Sequence, residues 1–290
     1  MLRQIENLFY EGGYPVFALL VEKEGETLLR CLKGPVIRRP VYSATKSFTS
    51  TAAGMLQEEG KWSVEDPLAR YLPAEYLHEM EPNRRAAFER LSIRRFLTMS
   101  VEGYPFRPEG EDWLRMVLQC PARLDGEPAF SYSNIPAYLV GVAAEQAAGE
   151  PLGEYLKRRL LTPLGIENPT FRTDPQGRFY GATGMELTVG ELSRLGRLYR
   201  RGGIWEGERL LSESWAQAAV SRQIDTGKGG YGYFFWNDGA GFSISGKWGQ
   251  KCLVYPSQGI SVSWLGNMQE NPGEFERKVR KICESGEYMG

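Results

Sequence analysis

Ser43-Ala44-Thr45-Lys46 sets a hydroxyl and an amine three residues apart, directly before a stretch with apolar residues at helical spacing. The spacing of that stretch predicts a helix with one face toward a core. Side chains three residues apart lie on one face of a helix, so the Ser43 hydroxyl is expected beside the Lys46 amine. The apolar residues that define the face are Phe48, Ala52, Met55 and Leu56.

Lys46 is the candidate base because the chain contains a single histidine, His78, in the polar stretch 77–81. The second face of the predicted helix carries small residues, which permits close packing on both sides. Burial disfavours the charged ammonium and lowers its pKa toward the range of a useful base. The pair is therefore typical of a serine enzyme whose base is lysine. A helix start followed by a solvated lysine is the simpler alternative.

Composition narrows the classes of function. The chain has 290 residues, 42% of them hydrophobic, and a net charge of −1, so nothing indicates a nucleic-acid partner. The cysteines are scattered without paired spacing, which predicts reduced thiols, no metal site and no cofactor. These cysteines are Cys31, Cys120, Cys252 and Cys283.

The chain shows no sign of export or membrane insertion. Charges at Arg3, Glu6 and Glu11 interrupt the N-terminus, so no signal-peptide core is recognised. No stretch approaches the ~20 apolar residues of a membrane span. We therefore expect a cytoplasmic protein without a membrane span.

Hydrophobic periodicity predicts strands at both ends and helices between them. A β-hairpin is expected over 16–22 and 27–32, and period-two alternation marks 242–245 and 260–264 as strands. The stretch 231–236 is also strand-like. Thr188 and Glu191 form a predicted capping box. Helices are expected over 2–10, 91–99, 135–147, 151–161, 192–199 and 275–283.

These elements predict an α+β fold. One antiparallel sheet is expected from both termini, residues 1–42 and 204–290, flanked by helices. Residues 43–203 are expected to form an all-helical insertion against it. Ser43 then lies at the seam between the two parts, where ligand clefts commonly form.

Two further motifs carry groups suited to the same chemistry. Tyr132-Ser133-Asn134 precedes a predicted helix. The Tyr132 phenol is a candidate for a lowered pKa between two lysines. The Asn134 amide is a candidate for holding the substrate and the Lys46 amine. Lys247-Trp248-Gly249 follows a strand, and alternation puts Lys247 on the face of Ser243 and Ser245. A core tyrosine, an N-cap asparagine and an edge-strand lysine are the structural alternatives.

Ser-x-x-Lys, Tyr-x-Asn and Lys-x-Gly, in this order, resemble the motif set of the penicillin-recognising serine hydrolases. The Tyr-x-Asn form resembles the class C β-lactamase branch, which also contains D-peptidases and esterases. The resemblance covers roughly residues 14–268. It includes the stretches 47–73, 97–100, 163–166 and 205–212.

The resemblance implies a β-lactamase/transpeptidase-like fold and a role for each motif residue. Ser43 is then the acylated nucleophile, while Lys46 and Tyr132 share the base and acid roles. Asn134, Lys247 and Gly249 are implied to bind the substrate. The backbone N–H groups of Ser43 and Gln250 are implied to form the oxyanion hole.

Departures from the family pattern shape the expected substrate. Trp248 stands where β-lactamases carry a small hydroxyl residue, and Lys247 stands where esterase-like members often carry histidine. We therefore expect a hydrolase acting on a small-molecule or peptide-like amide, peptide or ester, with a carboxylate favoured. A penicillin-binding fold that binds or senses a ligand is the alternative. The sequence does not indicate an oligomeric state.

Overall fold

The computed structural model describes residues 1–285 and confirms an α+β fold. Most helices lie between the N-terminal hairpin and the C-terminal strands, as predicted. The helices are α1 (Leu2–Glu11), α2 (Thr45–Glu58), α3 (Ala74–His78), α4 (Pro82–Phe88), α5 (Ile93–Leu97), α6 (Trp113–Gln119), α7 (Ile135–Ala148), α8 (Leu152–Leu156), α9 (Val189–Arg200), α10 (Glu213–Val220) and α11 (Pro272–Glu284).

The strands include short two-residue pairs as well as the main sheet. They are β1 (Val16–Lys23), β2 (Glu26–Leu32), β3 (Arg39–Pro40), β4 (Glu186–Leu187), β5 (Ile204–Trp205), β6 (Glu208–Arg209), β7 (Ile224–Asp225), β8 (Gly230–Tyr231), β9 (Trp236–Asn237), β10 (Phe242–Gly246), β11 (Gln250–Tyr255) and β12 (Ile260–Gly266).

One eight-stranded antiparallel sheet joins the two ends of the chain, in the order β2-β1-β12-β11-β10-β9-β8-β7. The N-terminal hairpin pairs with the last strand, with Leu20 opposite Ser263. This pairing confirms the sheet predicted from both termini.

Helices cover both faces of the sheet. On one face, α1 and α11 pack over an apolar cluster that includes Val262, Trp264 and Phe275. On the other face α9 contacts β1, β11 and β12. A Cβ on Gly196 would lie 2.4 Å from the Cys252 sulfur, so a glycine is required for α9 to approach this closely. The predicted capping box at Thr188 and Glu191 is present at the start of α9.

The contacts of α9 concern where the chain divides into a sheet part and a helical part. Its packing on the sheet favours a boundary before residue 189, whereas the sequence division assigned residues 43–203 to the helical part. The helical part is built around α2 and α7, which pack against each other. The exact division of the chain stays a prediction.

Two sequence predictions of secondary structure were wrong. Residues 231–236 form a tight bend between β8 and β9 because Phe234 adopts φ 61° and the Gly232 N–H donates to the Phe235 carbonyl. The helix predicted over 91–99 is limited to α5 because Ser92 is extended at its start and Met99 adopts φ 54° beyond its end.

Across residues 1–285, no helix combines the length and the apolar character needed to cross a bilayer.

Candidate active site

Ser43 lies in a single turn of 3-10 helix, Tyr42–Ala44, immediately before α2. Tyr42 adopts φ 49°, a conformation that L-residues rarely take. The end of β10 packs directly on this turn, since a Cβ on Gly246 would lie 2.1 Å from the Val41 carbonyl oxygen. The nucleophile candidate is thus held between the sheet and the helical part.

Lys46 is 1% exposed and its amine is surrounded by oxygen atoms. Its Nζ lies 3.1 Å from Ser43 Oγ, 2.7 Å from Asn134 Oδ1 and 3.0 Å from the Ala182 carbonyl oxygen. No carboxylate among the residues described accompanies it in these contacts. Burial therefore lowers the pKa of Lys46 to about 7.

The three contacts suit both protonation states of Lys46: an ammonium donates to all three oxygens, whereas a neutral amine donates to two of them. Such an amine has two N–H donors and one lone pair. The Asn134 and Ala182 oxygens only accept hydrogen bonds, so they take the two N–H groups. The lone pair then faces the Ser43 hydroxyl, whose proton it can accept.

Helix α2 holds Lys46 in place because it is buried along most of its length, from Thr45 to Leu56. Two of its buried hydroxyl side chains are hydrogen-bonded to segments on either side of it. Ser47 donates to the Phe234 carbonyl at 2.9 Å, and Thr49 to the Gly181 carbonyl at 2.7 Å. This confirms the close packing predicted for both faces of the helix.

Tyr132 lies beside the same serine, but its acidity differs from the expectation. Burial raises the pKa of Tyr132 to about 12, and a hydrogen bond with Ser43 opposes this only in part. The expected lowering between two lysines was wrong, because burial outweighs the hydrogen bond with Ser43. The Lys46 amine faces the tyrosine ring, 5.1 Å from its centroid. The phenol is therefore protonated at neutral pH. Its ring is stacked on Trp236 with centroids 5.6 Å apart.

Asn134 occupies the N-cap position of α7 without capping the helix through its side chain. Its Oδ1 accepts from Lys46, and its Nδ2 donates to the Tyr180 hydroxyl at 3.2 Å. The N-cap alternative is thus correct for the backbone of Asn134, while its side-chain amide is hydrogen-bonded to Lys46 and Tyr180.

The third motif forms the turn between β10 and β11 rather than a continuation of the strand. Trp248 and Gly249 adopt φ values of 60° and 82°. Lys247 is exposed, and its amine lies 4.3 Å from the centroid of the Trp248 ring. That ring packs edge-on against Tyr42, with centroids 5.2 Å apart. Trp248 is thus placed beside the nucleophile turn and is not a core residue.

Gly249 and Gln250 stabilise this turn. Gly249 is buried, and a Cβ on it would lie 2.1 Å from the Met268 methyl group. It is not among the residues that line the cleft. The Gln250 side chain donates to the carbonyl oxygens of Lys247 and Gly266 at 3.1 and 2.7 Å. These positions point to a structural role for the Gly249 backbone, and the oxyanion role of Gln250 stays a prediction.

A cleft of about 1280 Å³ runs along the seam. Ser43, Tyr132, Asn134 and Lys247 line it together, so the structure brings these predicted residues to one site. Side chains from the sheet also line it, Ser243 and Ser245 among them.

Sequence reasoning missed the segment 180–184, which supplies the Tyr180 hydroxyl and the Ala182 carbonyl. Gly181 adopts φ 71°, and a Cβ there would lie 2.6 Å from the Ala137 carbonyl oxygen of α7. This contact brings the segment against α7 and within reach of Lys46. The run Gly-Ala-Thr-Gly over 181–184 was the available signal, since it permits such a close approach.

Within residues 1–285, no group of three or more His, Cys, Asp or Glu side chains is arranged to hold a metal ion.

The family model described as Beta-lactamase matches residues 38–285, which is most of the chain. The chain belongs to the β-lactamase family. Curated relatives of this β-lactamase-family protein include a β-lactamase of Pseudomonas fluorescens, 29% identical over 154 residues, or 50% of this chain and 40% of the relative. A 6-aminohexanoate-dimer hydrolase of Paenarthrobacter ureafaciens is 23% identical over 245 residues, or 73% and 59% of the two chains.

This β-lactamase-family protein thus spans about half the length of the curated relatives it matches. A solved penicillin-binding protein of Bacillus halodurans superposes with a TM-score of 0.73 at 17% identity, covering 96% of this chain and 99% of that one. The likeness confirms the β-lactamase/transpeptidase-like fold. Membership places the protein in a superfamily of serine hydrolases.

Proposed function

We propose that this β-lactamase-family protein is a serine hydrolase that forms an acyl-enzyme on Ser43. The observation that carries the proposal is the Lys46 amine, which has two acceptor oxygens for its N–H groups and lies 3.1 Å from Ser43 Oγ. A buried amine with a pKa of about 7 is suited to accept a proton at neutral pH.

In the acylation step, Ser43 Oγ attacks the substrate carbonyl carbon while its proton passes to Lys46. A tetrahedral intermediate with a negatively charged oxygen results. The backbone N–H groups of Ser43 and Gln250 are proposed to donate to this oxygen. Removing one such donor typically costs roughly 3 kcal/mol of transition-state stabilisation.

Tyr132 is proposed as the acid in collapse of the intermediate. Its phenol is protonated at neutral pH and is hydrogen-bonded to Ser43. It donates its proton to the leaving nitrogen or oxygen as the bond to the carbonyl carbon breaks, and the ammonium of Lys46 restores the phenol. Water then attacks the acyl-enzyme with the same groups in reverse roles.

The proposed substrate is a small-molecule or peptide-like amide, peptide or ester that bears a carboxylate. Lys247 supports the carboxylate because its exposed amine lines the cleft. Amide cleavage is supported by the names of two relatives, a β-lactamase and a 6-aminohexanoate-dimer hydrolase. Trp248, in place of a hydroxyl residue, favours peptidase or amidase activity over β-lactamase activity.

Intact mass spectrometry tests the proposal. The wild type and Ser43→Ala are exposed to a fluorescent penicillin, an aryl ester and a fluorophosphonate. We expect a covalent adduct on the wild type that is lost in Ser43→Ala, and the reagent that labels fastest indicates the substrate class. Absence of an adduct with all three reagents would overturn the acyl-enzyme and leave a ligand-binding protein as the better account.

A further inference from the structure

The cleft concentrates positive charge in a protein whose net charge is −1. Six cationic side chains line it against three carboxylates among the described residues. The cations are Arg107, Arg172, Lys228, Lys247, Lys251 and Arg280, and the carboxylates are Glu109, Asp238 and Glu276.

Three of these cations are neutralised by the carboxylates of the cleft. Arg107 pairs with Glu109, Lys251 with Glu276, and Arg280 with Asp238. Arg172, Lys228 and Lys247 form no ion pair with any carboxylate in the part of the chain described. The excess positive charge of the cleft is therefore carried by these three side chains.

All three side chains are exposed, and Arg172 differs from the two lysines in lying beside two aromatic rings. Its guanidinium lies 5.8 Å from the centroid of the Trp113 ring and 5.7 Å from that of Tyr180. Its carbonyl oxygen accepts from the Tyr180 N–H at 2.9 Å. A Cβ on Gly184 would lie 2.1 Å from the Arg172 Cβ, so the backbone packs tightly here.

A short chain of contacts connects Arg172 to the reacting groups. The Tyr180 ring under the guanidinium carries the hydroxyl that accepts from Asn134, and Asn134 accepts from Lys46. Burial raises the pKa of Tyr180, and the hydrogen bond with Asn134 and the charges of Arg172 and Arg107 oppose this rise. Lys247 is connected to the turn of Ser43 by other contacts, since its amine lies over the Trp248 ring and that ring packs against Tyr42.

We propose that Arg172 binds a second carboxylate of the substrate, on the helical wall of the cleft, while Lys247 faces the sheet wall. The inference deepens the proposed function, on which it rests, by assigning a dianionic substrate. The Arg172 guanidinium is exposed beside the two rings, and its planar N–H groups match a carboxylate in a paired hydrogen-bonding geometry.

Reversible boronic acids provide the test, since they form a tetrahedral adduct with a nucleophilic serine and require no turnover. Alkylboronic acids are compared with ω-carboxyalkylboronic acids of matched chain length, from two to five methylenes. We expect at least one carboxylated probe to bind the wild type about tenfold more tightly than the alkylboronic acid of the same chain length. Arg172→Gln should remove this preference, measured as the ratio of the two affinities within the same variant, and Arg172→Lys should restore part of it.

Arg107→Gln is the matched control, because Arg107 lines the same cleft but is paired with Glu109. Arg107→Gln should keep the preference for carboxylated over plain boronic acids within about twofold of that of the wild type. Equal binding of carboxylated and plain probes to the wild type would overturn the inference. So would a preference that survives Arg172→Gln and disappears in Lys228→Gln or Lys247→Gln. Failure of every boronic acid to bind the wild type would instead count against the proposed function.

Discussion

The amine of Lys46 lies 3.1 Å from the hydroxyl of Ser43, and their relation is set by one turn of helix and by burial. The helical spacing brings the two groups together, whereas burial decides the protonation state of the amine. An exposed lysine would be charged at neutral pH and would donate to the serine. The buried one is able to accept the serine proton.

The first prediction concerns the pH dependence of acylation. Because Lys46 must be neutral to act as base, labelling by a fluorophosphonate should rise about tenfold per pH unit below 7 and level off above it. The measurement is the labelling rate between pH 5 and 9. Tyr132→Phe should keep this profile, since the tyrosine is protonated throughout the range. A rate that is flat over these pH values would contradict Lys46 as the base.

The second prediction concerns the midpoint of the labelling profile, the pH at which the rate levels off, and a charge beside Lys46 that should shift it. Asn134→Asp places a carboxylate 2.7 Å from the Lys46 amine in place of a neutral amide. An adjacent negative charge favours the ammonium form, so the pKa of Lys46 should rise by about 1–2 units. The labelling midpoint should shift above 7 by the same amount, and the rate at pH 7 should fall.

Tyr180→Phe is the control for this shift. It removes the partner of the Asn134 Nδ2 group but introduces no charge near Lys46. The rate is expected to change while the midpoint stays near 7. If Asn134→Asp and Tyr180→Phe moved the midpoint equally, the shift would reflect lost packing and not charge.

Local signals explain what was predictable from sequence. The capping box at Thr188 and Glu191, the N-terminal hairpin and the Ser43–Lys46 spacing each depend on residues within a few positions of one another. Their chemistry determines their local geometry without reference to the rest of the fold. These elements were predicted correctly.

Contacts distant in sequence explain what was missed. The Ala182 carbonyl contacts Lys46 across 136 positions of sequence. The Gly-Ala-Thr-Gly run permits a close approach of this segment, but it does not indicate which residue the segment approaches. The bend at Phe234 is likewise fixed from outside, by the N–H that it donates to the Leu97 carbonyl at 3.1 Å. Alternation put Lys247 on the strand face of Ser243 and Ser245, but β10 ends at Gly246 and the positive φ of Trp248 turns the chain back toward β11.

The third prediction concerns stability. Below pH 7 Lys46 is protonated in the folded and unfolded chains alike, so it does not make the free energy of unfolding depend on pH. Between pH 7 and about 10 the unfolded chain keeps a proton that the folded chain lacks, and the free energy of unfolding should rise with pH. Relative to Lys46→Met, the wild type should gain about 3 kcal/mol between pH 6 and 9. Urea unfolding of both proteins across this range measures the difference.

Lys281→Met is the control, because Lys281 is exposed on α11. Its stability curve should run parallel to that of the wild type from pH 6 to 9. A parallel curve for Lys46→Met as well would show that burial does not lower the pKa of Lys46.

The fourth prediction concerns the contact that sets Ser43 against the sheet. A Cβ on Gly246 would lie 2.1 Å from the Val41 carbonyl oxygen, so Gly246→Ala must displace either β10 or the turn that carries Ser43. The cost should be about 1–3 kcal/mol, seen as a lower Tm. Labelling of Ser43 should also slow, because Val41 precedes the Tyr42–Ala44 turn.

Gly190→Ala provides the comparison, since nothing lies within 4 Å of a Cβ at this helical position. Replacing a glycine inside a helix without a clash is expected to leave Tm unchanged or raise it slightly. Labelling of Ser43 should then match the wild type. A Gly246→Ala protein with wild-type Tm and labelling rate would mean that the nucleophile turn tolerates movement of β10, and that the close contact with Val41 is not what positions Ser43.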